Sequence, residues 1–218
     1  MTSTTREVAI DAEGATLLGL LTVPPGARGV VVFAHGSGSG RLSRRNAQVA
    51  RTLEEAGFAT LLMDLLTEAE ERSDARTGHL RFDIPLLAGR LRSATRWLAA
   101  RAETRELPVA YFGASTGAAA ALVAAAAEPG IFAIVSRGGR PDLAGGSLGD
   151  VLAPTLFIVG GADVPIIPLN QQAFQQLTCV KEQITIPRAT HLFEEPGALE
   201  QVARHAVAWF DRHGPRPR

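Results

Sequence analysis

The 218-residue chain has little of several features that would narrow its function at once. Cys179 is its one cysteine, so no disulfide can form within the chain, which fits a reducing compartment. Its 22 Lys and Arg residues balance 22 Asp and Glu residues, which leaves no basic excess for nucleic acid or an anionic membrane. No apolar run approaches the ~18 residues of a membrane span, and MTSTTREVAIDAEG lacks the apolar segment of a signal peptide. We therefore expect a cytoplasmic protein that binds neither nucleic acid nor membrane.

Motifs for metals and nucleotides are also missing. HLFEE, which begins at His191, is not H-E-x-x-H, and the other histidines are scattered, so we expect no metal and no other cofactor. HGSGSG joins a strand to a helix, but it fails the G-x-G-x-x-G fingerprint because Arg41 stands where the third glycine belongs after Gly36 and Gly38. A P-loop is excluded because the G-K-[ST] ending is absent. A nucleotide-binding oxidoreductase therefore remains only as an alternative.

What the chain does have is a regular alternation of short apolar runs and longer helical patterns. The runs predict strands at 8–10, 16–23, 29–34, 59–63, 109–112, 131–135, 155–159 and 182–186. The helical patterns lie at 43–56, 83–101, 116–127, 168–177 and 199–210. Residues 65–82 are polar and predict an exposed irregular segment with a short helical turn at most, and 138–150 predicts a loop. This order predicts an α/β fold with a mostly parallel, doubly wound sheet and no large lid domain. We expect one domain over residues 1–218, frayed at 1–5 and 214–218.

The polar motifs of the chain fall where these strands end. HGSGSG, GASTG, GGAD and ATH each follow a predicted strand. Because the working residues of such sheets lie beyond the carboxyl ends of the strands, we expect the four motifs to meet at one edge.

The segment YFGASTGAAA contains a G-x-S-x-G motif around Ser115. Here a strand turns directly into a helix, and Gly113 and Gly117 remove side chains that would clash in so tight a turn. The turn would leave the Ser115 hydroxyl exposed as a candidate nucleophile. Alone the motif is common, but its position between a buried strand and a small-residue helix makes it a stronger signal.

A serine nucleophile needs a base, and the base needs a carboxylate that orients it. His191 is the expected base, and His35 is its competitor, although shaping the Gly-rich loop suits His35 better. Asp163 is the expected carboxylate, because it follows two glycines in the loop after the penultimate strand. The rival carboxylates are Asp142 and Asp150, which lie in the loop after the strand at 131–135. Asp64 ends an earlier strand and suits a structural hydrogen bond better, and Glu194 and Glu195 are more simply interpreted as the entry to the last helix.

An oxyanion hole requires two free N–H donors. The Thr116 amide, at the start of a helix, is the first expected donor. The second should come from HGSGSG, with the Ser37 amide favoured over that of Gly38.

With these motifs in this order, the chain resembles the dienelactone hydrolase-like branch of the α/β-hydrolases. The stretches FAHGSGSGRLS, YFGASTGAAAAL, VSRGGRPDLAG and ATHLFEEPG carry the resemblance over roughly residues 16 to 212. It implies a compact, lidless hydrolase with Ser115, Asp163 and His191 as its catalytic triad. Dienelactone hydrolases proper have cysteine at the elbow, the strand-to-helix turn that carries the nucleophile, where this chain has Ser115. A serine esterase of small esters, lactones or thioesters is therefore the better expectation.

The substrate site is expected to include His35, Gly36, Gly38 and Arg137. Arg137 or Arg140 could bind a substrate carboxylate or phosphate, or could instead pair with an aspartate to hold its own loop. We expect a small ester as the only partner and a monomer or homodimer. An inactive α/β-hydrolase that serves as a binding module is the other alternative.

Overall fold

The structure, a computed structural model, describes residues 4–214 and contains one eight-stranded sheet. Its strands are β1 Thr5–Ala12, β2 Ala15–Thr22, β3 Val30–Ala34, β4 Ala59–Met63, β5 Val109–Ala114, β6 Ile131–Arg137, β7 Thr155–Gly160 and β8 Lys181–Ile186. They lie in the order β1-β2-β4-β3-β5-β6-β7-β8. β2 is antiparallel to β1 and β4, and the pairs from β4 to β8 are parallel. The predicted α/β class with a mostly parallel sheet is confirmed.

Helices cover both faces of this sheet. They are α1 Arg44–Glu55, α2 Glu68–Thr77, α3 Ile84–Ala99, α4 Thr116–Ala126, α5 Ile167–Gln176 and α6 Ala198–His213, with 3₁₀ segments at Leu80–Phe82 and Pro141–Asp150. The apolar residues of α1 and α6 pack on one face, and those of α3, α4 and α5 pack on the other. No helix within residues 4–214 is long and apolar enough to cross a membrane.

The strands that position the site are buried on both sides. Every residue of β3, β4 and β7 is buried, as continuous apolar runs predict for strands covered by helices on both faces. α4 is almost entirely buried, because its alanines allow it to lie close to the sheet. Parallel pairing then brings the carboxyl ends of β3, β5, β6, β7 and β8 to one edge.

The segment 65–82 is more ordered than predicted. It forms α2, where Thr67 Oγ1 accepts from the Glu70 amide at 3.2 Å and the Glu70 carboxylate accepts from the Thr67 amide at 2.7 Å. This capping box satisfies donors at the start of the helix, and Gly78, with φ 68°, ends it. This helix was not predicted from the sequence because its residues are mostly charged and form almost no apolar stripe. The predicted loop 138–150 is likewise largely the 3₁₀ segment that begins at Pro141.

The ends of the described chain are also held. Thr5 pairs with Thr22 in the first hairpin, and the Gly214 amide donates to the Phe210 carbonyl at 2.8 Å. These two residues are therefore ordered where we expected frayed ends. The rest of that expectation concerns Thr4, which precedes β1, and residues 1–3 and 215–218, which lie outside the described residues.

Candidate active site

Ser115 stands at a sharp turn between β5 and α4. Its φ of 50° is unusual for a residue with a side chain and indicates local strain. Glycine is required at positions 113 and 117 because a side chain there would clash with backbone atoms. A Cβ on Gly113 would lie 2.4 Å from Cα of Ala118, and one on Gly117 would lie 2.2 Å from the carbonyl oxygen of Ala34. The tight turn predicted from the small residues is therefore present.

The three predicted triad residues lie together at this turn. His191 Nε2 is 3.3 Å from Ser115 Oγ, and His191 Nδ1 is 2.7 Å from Asp163 Oδ2. The carboxylate of Asp163 is nearly buried, whereas the imidazole of His191 is partly exposed. The first distance is long for a hydrogen bond, as is common for such pairs before substrate binds. The arrangement fits a hydroxyl, a base and a carboxylate that orients the base.

Asp163 and His191 come from the loops after β7 and β8, which contact each other closely. A Cβ on Gly160 would lie 2.4 Å from the Ala189 carbonyl oxygen, so glycine is needed where the loops meet. The Thr190 amide and hydroxyl both donate to Glu195 Oε1, at 3.1 Å and 2.5 Å. Glu195 therefore holds the His191 loop in shape and does not bind His191.

His35 is placed in a structural role. Its Nε2 accepts from the Leu65 amide at 2.9 Å, so Nδ1 carries the proton and donates to the Gly36 carbonyl at 2.9 Å. Burial lowers the pKa of His35, which keeps the ring neutral. Both nitrogens are thus occupied in shaping the loop after β3. His35 borders a crevice of about 20 Å³ beside Ser37 and Thr116 and does not line the cavity that holds Ser115.

Three of the rival carboxylates have arginine partners: Glu194 accepts from Arg45 Nη1 at 2.6 Å at the surface, and Asp64 and Asp142 are paired within loops. Asp64 accepts from the Arg41 amide at 2.7 Å and from Arg41 Nη1 at 2.6 Å. Asp142 binds Arg140 through two hydrogen bonds of 2.9 Å and 2.8 Å. Asp64 and Asp142 are therefore built into loop contacts, and Arg140 serves to hold its own loop.

The two residues expected to supply the oxyanion donors are in contact through their side chains. Ser37 Oγ and Thr116 Oγ1 are 3.2 Å apart, and a Cβ on Gly36 would lie 2.9 Å from Cβ of Ser115. Within residues 4–214, neither the Ser37 nor the Thr116 amide donates a hydrogen bond to another residue. The Gly38 amide is equally unengaged, but Gly38 lies in the crevice and does not line the Ser115 cavity. The geometry supports the Ser37 choice and leaves the role of both amides a prediction.

A cavity of about 130 Å³ opens beside Ser115 and His191. Besides the predicted residues, it is lined by several that sequence reasoning missed, among them Arg45 and Asn46 in the first turn of α1. Their position directly after HGSGSG was the available signal, because a helix that follows this loop starts at the same sheet edge. Arg137 also lines the cavity, as expected.

The crevice at Ser37 and Thr116 is also bordered by α2 and the 3₁₀ turn after it. Glu71, Asp74 and Arg81 line it. Asp74 accepts from the Leu80 amide at 2.6 Å and from Arg81 Nε at 2.5 Å, which ties the turn to the helix. The segment 65–82 therefore borders the predicted oxyanion side.

Within residues 4–214, no group of three or more His, Cys, Asp or Glu side chains could hold a metal ion.

Comparison with known proteins places this geometry in a family. The dienelactone hydrolase family model matches residues 17–212. A dienelactone hydrolase from Anabaena variabilis is 55% identical, with a TM-score of 0.96 over 98% of this chain and 99% of that one. Est1E from Butyrivibrio proteoclasticus shares the fold, at 16% identity and a TM-score of 0.79 over 95% of this chain and 98% of that one.

A curated relative from Mycobacterium tuberculosis strain H37Rv carries a different, provisional name, phosphoribosyl transferase, as does one from strain CDC 1551. This chain is 59% identical to that protein over 216 residues, which cover 97% of this chain. The match covers 47% of the relative, so the chain spans about half the length of the curated relatives it matches. The family model and the Anabaena structure together decide the family: this chain belongs to the dienelactone hydrolase family and has the α/β-hydrolase fold.

Proposed function

We propose that this chain is a serine hydrolase that cleaves small carboxylic esters, with lactones and thioesters as related substrates. The observation that carries the proposal is the hydrogen-bonded series Ser115, His191 and Asp163 at a strained strand-to-helix turn. Family membership and fold support a hydrolase.

The proposed reaction proceeds through an acyl-enzyme. Ser115 Oγ attacks the ester carbonyl carbon while His191 Nε2 takes its proton, and Asp163 stabilises the imidazolium that forms. The tetrahedral oxyanion accepts hydrogen bonds from the Thr116 and Ser37 amides, each worth roughly 10²–10³ in turnover. The imidazolium then gives its proton to the leaving alcohol as the C–O bond breaks. Water, deprotonated by His191, attacks the acyl-enzyme and releases the acid and free Ser115.

The choice of substrate size and type rests on the cavity and the nucleophile. A volume of about 130 Å³ beside Ser115 suits short acyl groups better than long chains. Serine needs its histidine as a true base, whereas a cysteine nucleophile can be held as a thiolate. Simple esters are therefore better candidates than dienelactone itself.

Other activities have weaker support. HGSGSG packs against the elbow through Gly36, in the place of an oxyanion loop, which disfavours a dinucleotide site there. Phosphoribosyl transfer is suggested by the name of relatives twice as long as the matched part, so that name assigns no activity to this half. An inactive binding module would be expected to have lost one of the three residues, whereas here all three are present and His191 contacts both of the others.

Covalent labelling tests the proposal. A fluorophosphonate probe should attach to Ser115, as mapped by mass spectrometry, and labelling should fall sharply in His191→Ala. Ser115→Ala should abolish both labelling and hydrolysis of p-nitrophenyl acetate. A folded wild-type protein that takes no label and hydrolyses neither acetyl nor butyryl esters would overturn the proposal.

A further inference from the structure

The loop 138–140, which follows β6, lies between segments that carry the candidate triad. Its Arg140 amide donates to the Ser115 carbonyl at 3.0 Å. At Gly138, where φ is 50°, an added Cβ would lie 3.0 Å from the carbonyl oxygen of His191. A displacement of this loop would therefore change the position of Ser115 relative to His191.

Asn170, near the start of α5, connects this loop to the turn that carries Asp163. Its Nδ2 donates to the Gly139 carbonyl and to the Ile166 carbonyl, at 3.0 Å in each case. The Ile166 amide in turn donates to the Asp163 carbonyl at 3.0 Å. One side-chain amide therefore links the backbone of the triad carboxylate to the loop that contacts the other two triad residues.

The Asn170 amide is unfavourable for packing where it lies. The side chain is fully buried, and its Oδ1 has no hydrogen-bond partner within residues 4–214. Burial of an unpaired polar atom costs free energy, and asparagine is a weaker helix former than leucine, which has a similar size. The presence of this amide is therefore better explained by the two carbonyls that Nδ2 holds together than by packing of the core.

Gly139, which accepts one of these bonds, is packed tightly. An added Cβ would lie 2.7 Å from Cβ of Ala118 in α4, the helix that follows the candidate nucleophile, and 2.0 Å from Ser136 Oγ. Gly139 is buried, and no donor other than Asn170 reaches its carbonyl among residues 4–214. A buried carbonyl that loses its donor must move or find water. Removal of the Asn170 amide should therefore shift the loop against α4 and the Ser115 turn.

We propose that Asn170 is a positioning residue of the hydrolase, whose side-chain amide sets the distance between the Asp163–His191 pair and Ser115. Asn170 does not line the cavity that holds Ser115 and His191, so it acts through the backbone and not on the substrate. This inference rests on the proposed esterase function and adds to it a residue outside the triad.

Asn170→Leu tests this role, because leucine has a similar size and no donor. We expect kcat for p-nitrophenyl acetate to fall by about 10- to 100-fold while KM stays within a few-fold, since small misplacement of reacting groups slows the chemical steps. Urea unfolding would show that the variant is folded under the assay conditions.

Thr104→Val is the matched control. Thr104 Oγ1 also donates from a buried position to a backbone carbonyl, that of Leu98 at 2.7 Å, but Thr104 precedes β5 and so lies at the opposite end of the strands from Ser115. Its loss should lower stability and leave kcat at the wild-type value.

Proton NMR provides a readout that a purely structural role would not change. The proton between His191 Nδ1 and Asp163 Oδ2 should give a far-downfield resonance in the wild-type protein, because its acceptor is a carboxylate. Asn170→Leu should shift or broaden this resonance, and Thr104→Val should leave it in place.

A kcat close to the wild-type value in folded Asn170→Leu, an equal loss in Thr104→Val, or an unchanged resonance would overturn the inference. If Asn170→Leu does not fold, Asn170→Ser decides by the same readouts. The serine hydroxyl can bond to the Ile166 carbonyl of its own helix but is too short to reach Gly139. A wild-type protein that hydrolyses no ester and takes no fluorophosphonate label would count instead against the esterase proposal.

Discussion

Gly36 and Ser115 are packed as closely as a missing side chain allows, since a Cβ on Gly36 would lie 2.9 Å from Cβ of Ser115. The loop after β3 therefore rests directly on the turn that carries the candidate nucleophile. This contact fixes where the Ser37 amide lies relative to Ser115. The first expectation for a variant depends on it.

Gly36→Ala should reduce esterase turnover while the protein stays folded. The added methyl group would push the loop away from Ser115, and misplacement of reacting groups by about 1 Å can cost about 10²-fold in rate. Gly146→Ala, at an exposed position with nothing within 4 Å of the new Cβ, is the control. Unchanged turnover in Gly36→Ala would show that the loop does not need this close approach.

Gly117→Ala should destabilise the fold itself. Its Cβ would lie 2.2 Å from the Ala34 carbonyl oxygen and 2.5 Å from that of His35, and backbone atoms cannot rotate away. We expect a loss of about 1–3 kcal/mol or more in the free energy of unfolding, measured with urea. Gly149→Ala, which meets nothing within 4 Å, should be close to wild type. Equal stability of the two variants would contradict the described packing of the elbow.

Asp163→Asn should remove most activity and little stability. Asparagine keeps the shape but favours the wrong proton position on His191 and cannot stabilise its charged form, an effect of about 10⁴-fold in a serine protease triad. Asp142→Asn tests the rival carboxylate, which is paired with Arg140, and should change turnover only slightly. If the two variants lose activity equally, Asp163 does not orient the base.

The stability of the protein should decline on acidification, in part through His35. Burial lowers the pKa of this imidazole, against opposing effects of the Gly36 carbonyl and the carboxylates of Asp64 and Glu71. Below about pH 6.5 the unfolded chain therefore takes up a proton that the folded chain takes up only at lower pH. The free energy of unfolding consequently decreases as the pH is lowered. The full contribution is present above that pH. His35→Gln should show a shallower slope of unfolding free energy between about pH 7.5 and about pH 5.5. An identical slope in both proteins would rule out this role.

The sheet and the contacts of the triad residues were predictable because their signals are local. Continuous apolar runs such as residues 30–34 mark strands buried on both faces, and the parallel sheet they form gathers the strand ends at one edge. Once Ser115, Asp163 and His191 are placed at those ends, their proximity follows from topology. The glycines of the elbow predict a tight turn by the same kind of local reasoning.

α2 and the surroundings of the Arg137 guanidinium, which has no carboxylate partner within residues 4–214, were harder to predict, for different reasons. Thr67 and Glu70 show a capping box in the sequence, but without an apolar stripe this signal was outweighed by the charged composition. The isolation of Arg137 depends on which side chains α1 and the His191 loop bring to it. Sequence spacing could not distinguish Arg137 from Arg140, three residues away, which forms an ion pair with Asp142.

The proposed reaction requires that Ser115 form an acyl-enzyme with His191 as its base. Acid-quenched reactions with p-nitrophenyl acetate, digested and analysed by mass spectrometry, test it most directly. We expect an acetyl group on the peptide that contains Ser115 in the wild-type protein, and its loss in His191→Ala. Ester hydrolysis that leaves Ser115 unmodified and persists in Ser115→Ala would contradict the proposed reaction.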